Sequence, residues 1–419
     1  MYQKTVLKNG IRVVSEKIPH IRSFSIGIWV TTGSCDEDSE ENGISHFIEH
    51  LAFKGTKSRS AHDIAKEIDS VGGILNGFTE REYTCFHAKV LDQHCPLAIE
   101  LLSDIFLNSL FDFNEIEKER NVVLQEIKMV EDTPDDYIHD LFNQVFWEGY
   151  SLGYPILGRK ERVSSFDRKT ICRYFDNHYR RNPLVISMAG SFDHEKVIQL
   201  IEDRFAGLPE RMEVRKRKSP EPNPRIGVFP RDLEQVHLCL GTNGISQTHS
   251  MRFASYILNT LLGRGMSSYL FQEIREKRGL AYSIYSYRPA YFDAGQLVVY
   301  AGTSKGSLKE VIQLIIEQFN ELRKERIRLE ELKRAQDQLK GNFLLFLESS
   351  DSWMTRLAQN EIYFGEYIPI EEVIRGIEGV TSEEVNQLAR DLFREELFCL
   401  AVLGPIDETE LPRNLLSFR

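Results

Sequence analysis

No apolar run in this 419-residue chain approaches the roughly 18 residues that a membrane helix needs; residues 343–347 are among the longest. No membrane span is therefore expected. Residues 1–10 hold no apolar core of signal-peptide length and already alternate like a strand, so folded structure is expected to begin at Met1. Basic residues are in deficit. The 52 Lys and Arg against 63 Asp and Glu give a formal charge of −11, whereas general nucleic-acid binding needs a Lys/Arg excess on some face. No C-x-x-C pair occurs among the six cysteines (Cys35, Cys85, Cys95, Cys172, Cys239 and Cys399), which for a chain of this size reads as reduced thiols in a cytoplasmic protein. What is present is ordinary globular composition, 42% hydrophobic and 27% charged, which excludes wholesale disorder.

The clearest compositional break lies between residues 208 and 232, where Pro209, Pro220, Pro222, Pro224 and Pro230 flank the basic cluster 215–218. Proline at this density continues neither a helix nor an inner strand, so the segment reads as a linker and its basic cluster as a solvated charge run. The expected organisation is a first domain over 1–210, a linker over 211–231 and a second domain over 232–419. The two halves repeat one order of elements. A helical stretch (64–70) ending at Gly72-Gly73, a strand (84–90) and an amphipathic run (96–110) recur as 269–277 ending at Gly279, strands 281–287 and 296–301, and the run 308–322. Two long helical patterns, 115–130 and 330–347, also correspond. An internal duplication of roughly 200 residues accounts for this. Strands grouped with helices, without strict alternation, predict α+β domains, each an antiparallel sheet packed with helices.

The strongest local signal is His46-Phe47-Ile48-Glu49-His50. Residues four apart share a helix face, so His46 and His50 can both offer imidazole nitrogen to one metal ion, with the carboxylate of Glu49 beside them. This H-x-x-E-H order reverses the H-E-x-x-H zinc-protease helix. A catalytic zinc takes three protein ligands and keeps one open position. In the charge-rich stretch 115–127, Glu119 and Glu126 are seven apart and so on one helical face; spacing alone does not choose between them. Gly263-Arg264-Gly265 is followed by no Gly-Lys-Ser/Thr, which argues against a phosphate loop.

With His46 to His50 followed by Glu126 seventy-six residues later, the chain resembles, over essentially its whole length, the pitrilysin-type (inverzincin, M16) metallopeptidases. The likeness is greatest to the bacterial processing-protease branch, related to the mitochondrial processing peptidase. The resemblance implies two related α+β domains forming half of a clamshell, and His46, His50 and Glu126 as ligands of one Zn2+ per chain. It makes Glu49 the general base and gives Glu119 a supporting role beside the metal. Asn76 and Gly77 match the family's substrate-holding edge strand, where Ala is commoner than Gly at the second position. Phe53 and Phe78 match residues lining the pocket after the scissile bond, and Arg275 and Tyr282 match a substrate-orienting pair. The second half has no H-x-x-E-H, and Gly341 falls about where Glu126 would repeat. Because one chain carries both the zinc set and the Arg/Tyr pair, the resemblance implies a homodimer acting on unfolded peptides or presequence-like segments within a chamber. The alternative is a non-catalytic peptide-binding or scaffold subunit, which would normally have lost part of the zinc set.

Overall fold

The computed structural model describes residues 1–210, 219–324 and 326–418. The basic cluster at 215–218 lies outside them. Eleven strands among the described residues form two sheets, built from β1 (Tyr2–Val6), β2 (Arg12–Lys17), β3 (Ser23–Val30), β4 (Ile74–Thr79), β5 (Thr84–Leu91) and β6 (Leu184–Gly190) in the first, and β7 (Ile226–Pro230), β8 (Val236–Asn243), β9 (Ala281–Tyr287), β10 (Gln296–Thr303) and β11 (Cys399–Gly404) in the second. Their orders are β1-β2-β6-β3-β5-β4 and β7-β11-β8-β10-β9. Pairing is antiparallel throughout except for β2 with β6 and β7 with β11, which run parallel. Without β1, the two sheets therefore match strand for strand in order and direction, as a duplicated unit would.

Residues 226–230, expected within the linker, form β7 instead. It lies at the sheet edge and ends at Pro230, a position where a missing N–H costs the ladder nothing.

The compact units are discontinuous in sequence. One comprises Met1–Met129, the stretch that begins at Tyr154, and Phe346–Tyr367; the other comprises Val130–Gly153, the residues from the end of the undescribed segment to Leu345, and those from Ile368 onward. Each half of the chain thus contributes one helical segment to the unit otherwise built by the other half. β3 and β6 explain the need. They are buried along nearly their whole length, as strands are when both faces of a sheet are covered. Ile26, Ile28, Ile186 and Met188 face a core with Leu101, Ile105 and Phe106 of the Cys95–Asn108 helix. Trp29, Val185 and Ala189 face Met354, Leu357 and Ala358 of the Ser350–Tyr363 helix.

Candidate functional site

Helix α1 (Ile44–Ala52) buries Ile44, Phe47, Ile48 and Leu51 in the core of the first unit, which fixes the roll of the helix about its axis. Its start is unusual. Gly43 sits at φ 95°, and a Cβ there would lie 2.6 Å from Gly158 Cα, so only glycine fits. No side chain at that position caps the helix. Instead Glu37, wholly buried, accepts the N–H groups of Gly43 (2.7 Å) and Ser45 (2.9 Å) and the amide of Asn42 (3.2 Å). These donors would otherwise be orphaned. Burial pushes the Glu37 carboxyl up to about 8, against the three hydrogen bonds, which favour its ionised form.

A raised carboxyl pKa has a definite sign in stability. Its contribution is fully present below about 4.5, the value in the unfolded chain, and is lost as pH rises through about 8. Thermal unfolding of the metal-free protein should therefore show wild type losing stability relative to Glu37→Gln across that window, by at least about 1.4 kcal/mol, the worth of one pKa unit. Parallel curves for the two proteins would rule out this role for Glu37.

On the face of α1 turned away from the core, buried His46 and partly buried His50 stand one turn apart with ring centroids 4.6 Å from each other. The Phe113–Glu131 helix buries Ile116, Val123 and Ile127 and so turns Glu119 and Glu126 toward them. The spacing left these two glutamates equivalent; the distances separate them. Glu126 Oε2 is 3.7 Å from His46 Nε2 and 3.4 Å from His50 Nε2. Ligand atoms of His46, His50 and Glu126 all lie within 4.8 Å of one another, the one such group of three among the described residues. Glu119 reaches the other side of the second ring, 3.2 Å from His50 Nδ1, and its second oxygen binds Lys54 Nζ at 2.8 Å. A carboxylate on Nδ1 orients the ring and leaves Nε2 facing Glu126.

The electrostatics suit a cation. Burial, then the neighbouring His50, holds His46 down to about 4, so it is neutral and able to donate a lone pair. Burial also works against charge on His50, but hydrogen bonds to Glu119 and Glu126 outweigh it and carry the ring up to about 9. Glu126 is held below the usual carboxylate range, first by its hydrogen bond to His50. Glu49 is raised by burial, with the hydroxyl of Thr79, donated to Oε2 at 2.9 Å, partly offsetting this. Two imidazoles among three carboxylates, Glu49, Glu119 and Glu126, are a donor set that fits a divalent metal.

Asn76 and Gly77 lie on β4, the last strand of its sheet, with only β5 as neighbour. Asn76 is exposed and its Oδ1 accepts the N–H of Gly77 at 2.8 Å. Phe53 caps the C-terminus of α1 with its ring 6.0 Å from that of Phe86. Phe78 packs on Trp29 (5.5 Å) and Tyr83 (6.4 Å), and both Phe53 and Phe78 are half-buried. Arg275 and Tyr282 lie together on the other unit. The guanidinium sits 4.6 Å from the ring centre of Phe271 and 5.5 Å from that of Tyr282, which is 80% exposed. Glu273 is taken by Lys277 and Arg278, so no carboxylate among the described residues pairs with Arg275. The sequence reading had missed Glu37, Lys54, Thr79 and Phe271. Lys54, one turn past His50, had a local signal; Glu37 and Thr79 act through contacts that no spacing encodes.

Comparison with known proteins identifies the family of the chain. The family model described as insulinase (peptidase family M16) matches residues 12–160, and that described as the peptidase M16 inactive domain matches 165–339. A Bacillus subtilis protein named as an uncharacterized zinc protease, YmxG, is 42% identical, covering 97% of this chain and 98% of its own. A Mycobacterium leprae protein, ML0855, also named as an uncharacterized zinc protease, is 40% identical, covering 98% and 94%. Among solved structures, a protease from Helicobacter pylori superposes with a TM-score of 0.89 at 22% identity, covering 97% of this chain and 99% of that one, which shows a shared fold. With both family models matched in order and full-length relatives at this identity, the chain belongs to the insulinase (M16) family of peptidases.

Proposed function

We propose that this protein is a zinc-dependent endopeptidase that cleaves unfolded peptides or presequence-like segments. His46, His50 and Glu126 hold one Zn2+ per chain, and Glu49 acts as general base. The observation that carries the reading is the convergence of three ligand atoms within 4.8 Å beside a buried carboxylate whose pKa is raised. Zinc, when bound, supplies Lewis acidity toward the peptide carbonyl and makes water a nucleophile near neutral pH.

The remaining work falls to the chain's own side chains. Glu49 accepts the proton of the attacking water and returns it to the leaving amine; a carboxyl raised toward neutrality is suited to both transfers. Glu119 holds His50 through Nδ1. The free edge of β4 at Asn76 and Gly77 takes the substrate backbone by strand addition, a mode that demands an extended, unfolded chain. Phe53, on the α1 side of β4, borders the pocket beyond the scissile bond. Phe78, expected beside it, turns to the opposite face of the strand against Trp29 and Tyr83, because neighbouring strand residues alternate between faces, and does not share that pocket. Arg275, which pairs with no carboxylate among the described residues and lies near the rings of Phe271 and Tyr282, and Tyr282 itself donate hydrogen bonds to a peptide carbonyl. Because both sets occur in one sequence, the reading extends to a cytoplasmic homodimer with composite sites, the second domain binding no metal.

Metal removal tests the assignment. The purified protein should contain about one zinc per chain, lose cleavage of a quenched unfolded peptide on chelation, and regain it with added zinc. A protein that binds no zinc, or that cleaves equally well without it, would overturn the proposal.

A further inference from the structure

Strand β4 does more than present a free edge. Along it, side chains alternate between faces. Phe78 turns toward Trp29 and Tyr83, whereas Gly77 and Thr79 turn toward α1. The Thr79 hydroxyl donates to Glu49 Oε2 at 2.9 Å, with both side chains buried, and Glu49 Oε1 has no protein partner among the described residues. At Gly77 the backbone itself walls the same carboxylate: a Cβ there would lie 2.9 Å from Glu49 Cγ and 3.1 Å from Phe53 Cε2. The strand has closed on the helix to a distance that leaves no room for a methyl group without movement.

We propose that Thr79 is a positioning residue for Glu49: its hydroxyl anchors one carboxylate oxygen so that the other meets the reacting water, and the strand that takes the substrate backbone thereby also aims the base. This rests on the peptidase reading given above. Thr is β-branched and stiff at χ1, so an anchor on it restricts the long Glu49 side chain more than a flexible donor would. Gly77 supports the same arrangement by bringing the strand close enough for the hydroxyl to reach. Substrate register and base alignment then share one rigid element, which is what a proton transfer sensitive to fractions of an ångström requires.

The test uses the full-length zinc-loaded protein and a quenched unfolded peptide, with Thr79→Val, Thr79→Ser, Glu49→Gln and the double variant Thr79→Val/Glu49→Gln. Valine keeps the shape and removes the donor; serine keeps the donor. Expected for Thr79→Val is a fall in kcat of about 10- to 100-fold, the scale of a misplaced reacting group, with KM and zinc content unchanged. Serine should restore most of the rate. The double variant should cleave no more slowly than Glu49→Gln alone, because a residue acting through Glu49 has nothing left to position. Peptide affinity, measured on the Glu49→Gln background, should not change when Thr79 is also replaced. A wild-type kcat for Thr79→Val, a serine variant no better than valine, or an effect confined to KM or zinc content would each overturn the inference while leaving the peptidase reading in place. Wild-type cleavage by Glu49→Gln would instead overturn that reading, and this inference with it.

Discussion

Glu49→Gln should abolish peptide cleavage, lowering kcat by about 10²- to 10⁴-fold, the usual contribution of general base catalysis, while zinc content stays at the wild-type level. The substitution is nearly isosteric. Glutamine retains an oxygen to accept the Thr79 hydroxyl, and its amide has no basic site for the proton of the attacking water. None of the proposed ligands is touched, since the metal atoms come from His46, His50 and Glu126. Nor does the fold suffer. Burial already disfavours the ionised carboxylate, so a neutral amide at this position costs the native state no charge it relied on. Thermal unfolding should accordingly show a midpoint at or slightly above that of wild type. Cleavage at the wild-type rate by a correctly folded, zinc-replete variant would remove Glu49 from the mechanism.

Loss of the Ser350–Tyr363 helix should unfold the unit that carries the metal set, although this helix lies more than 200 residues beyond the last of the proposed ligands in sequence. One face of its sheet depends on it. Met354, Leu357 and Ala358 cover Val14, Trp29, Cys85, Val185 and Ala189, and Glu361, almost wholly buried, binds both Lys4 (2.8 Å) and Arg12 (3.0 Å). Lys89 and Asp351 add a half-exposed pair at 2.7 Å, which contributes little by comparison. A fragment of residues 1–210 would leave Trp29 and its neighbours in water and should show no cooperative thermal transition by circular dichroism. Appending residues 346–367 through a Gly/Ser linker should restore one. Within the full chain, Leu357→Ala should cost about 2–5 kcal/mol, the range for a fully buried leucine. A cooperative melt of the 1–210 fragment by itself would show that the helix is dispensable.

Much of this molecule is written in local pattern. The 281–287 strand lies where alternation placed it, as β9. The periodic stretches 115–130 and 330–347 are the Phe113–Glu131 and Leu329–Phe346 helices. The 269–277 stretch was readable as helical but not as what it is, a π-helical turn over Phe271–Glu276 that carries Arg275 against Phe271. Apolar periodicity reports which residues are buried, and a single wider turn barely disturbs it. The 226–230 strand was hidden for a related reason: proline marks a segment as unfit for an inner strand but is silent about an edge.

By itself the sequence determined that two imidazoles and a carboxylate share one helical face, because i, i+3 and i+4 are neighbours on any α-helix whatever surrounds it. It determined equally that Glu119 and Glu126 share a face of another helix. Which of them meets both Nε2 atoms and which takes His50 Nδ1 was settled only by how the two helices pack. Tertiary structure alone also placed Glu37 under the start of α1, Thr79 against Glu49, and each exchanged helical segment on its sheet. An amphipathic face specifies that it must be buried. Hydrophobic burial is non-directional, so the choice of partner belongs to the whole fold.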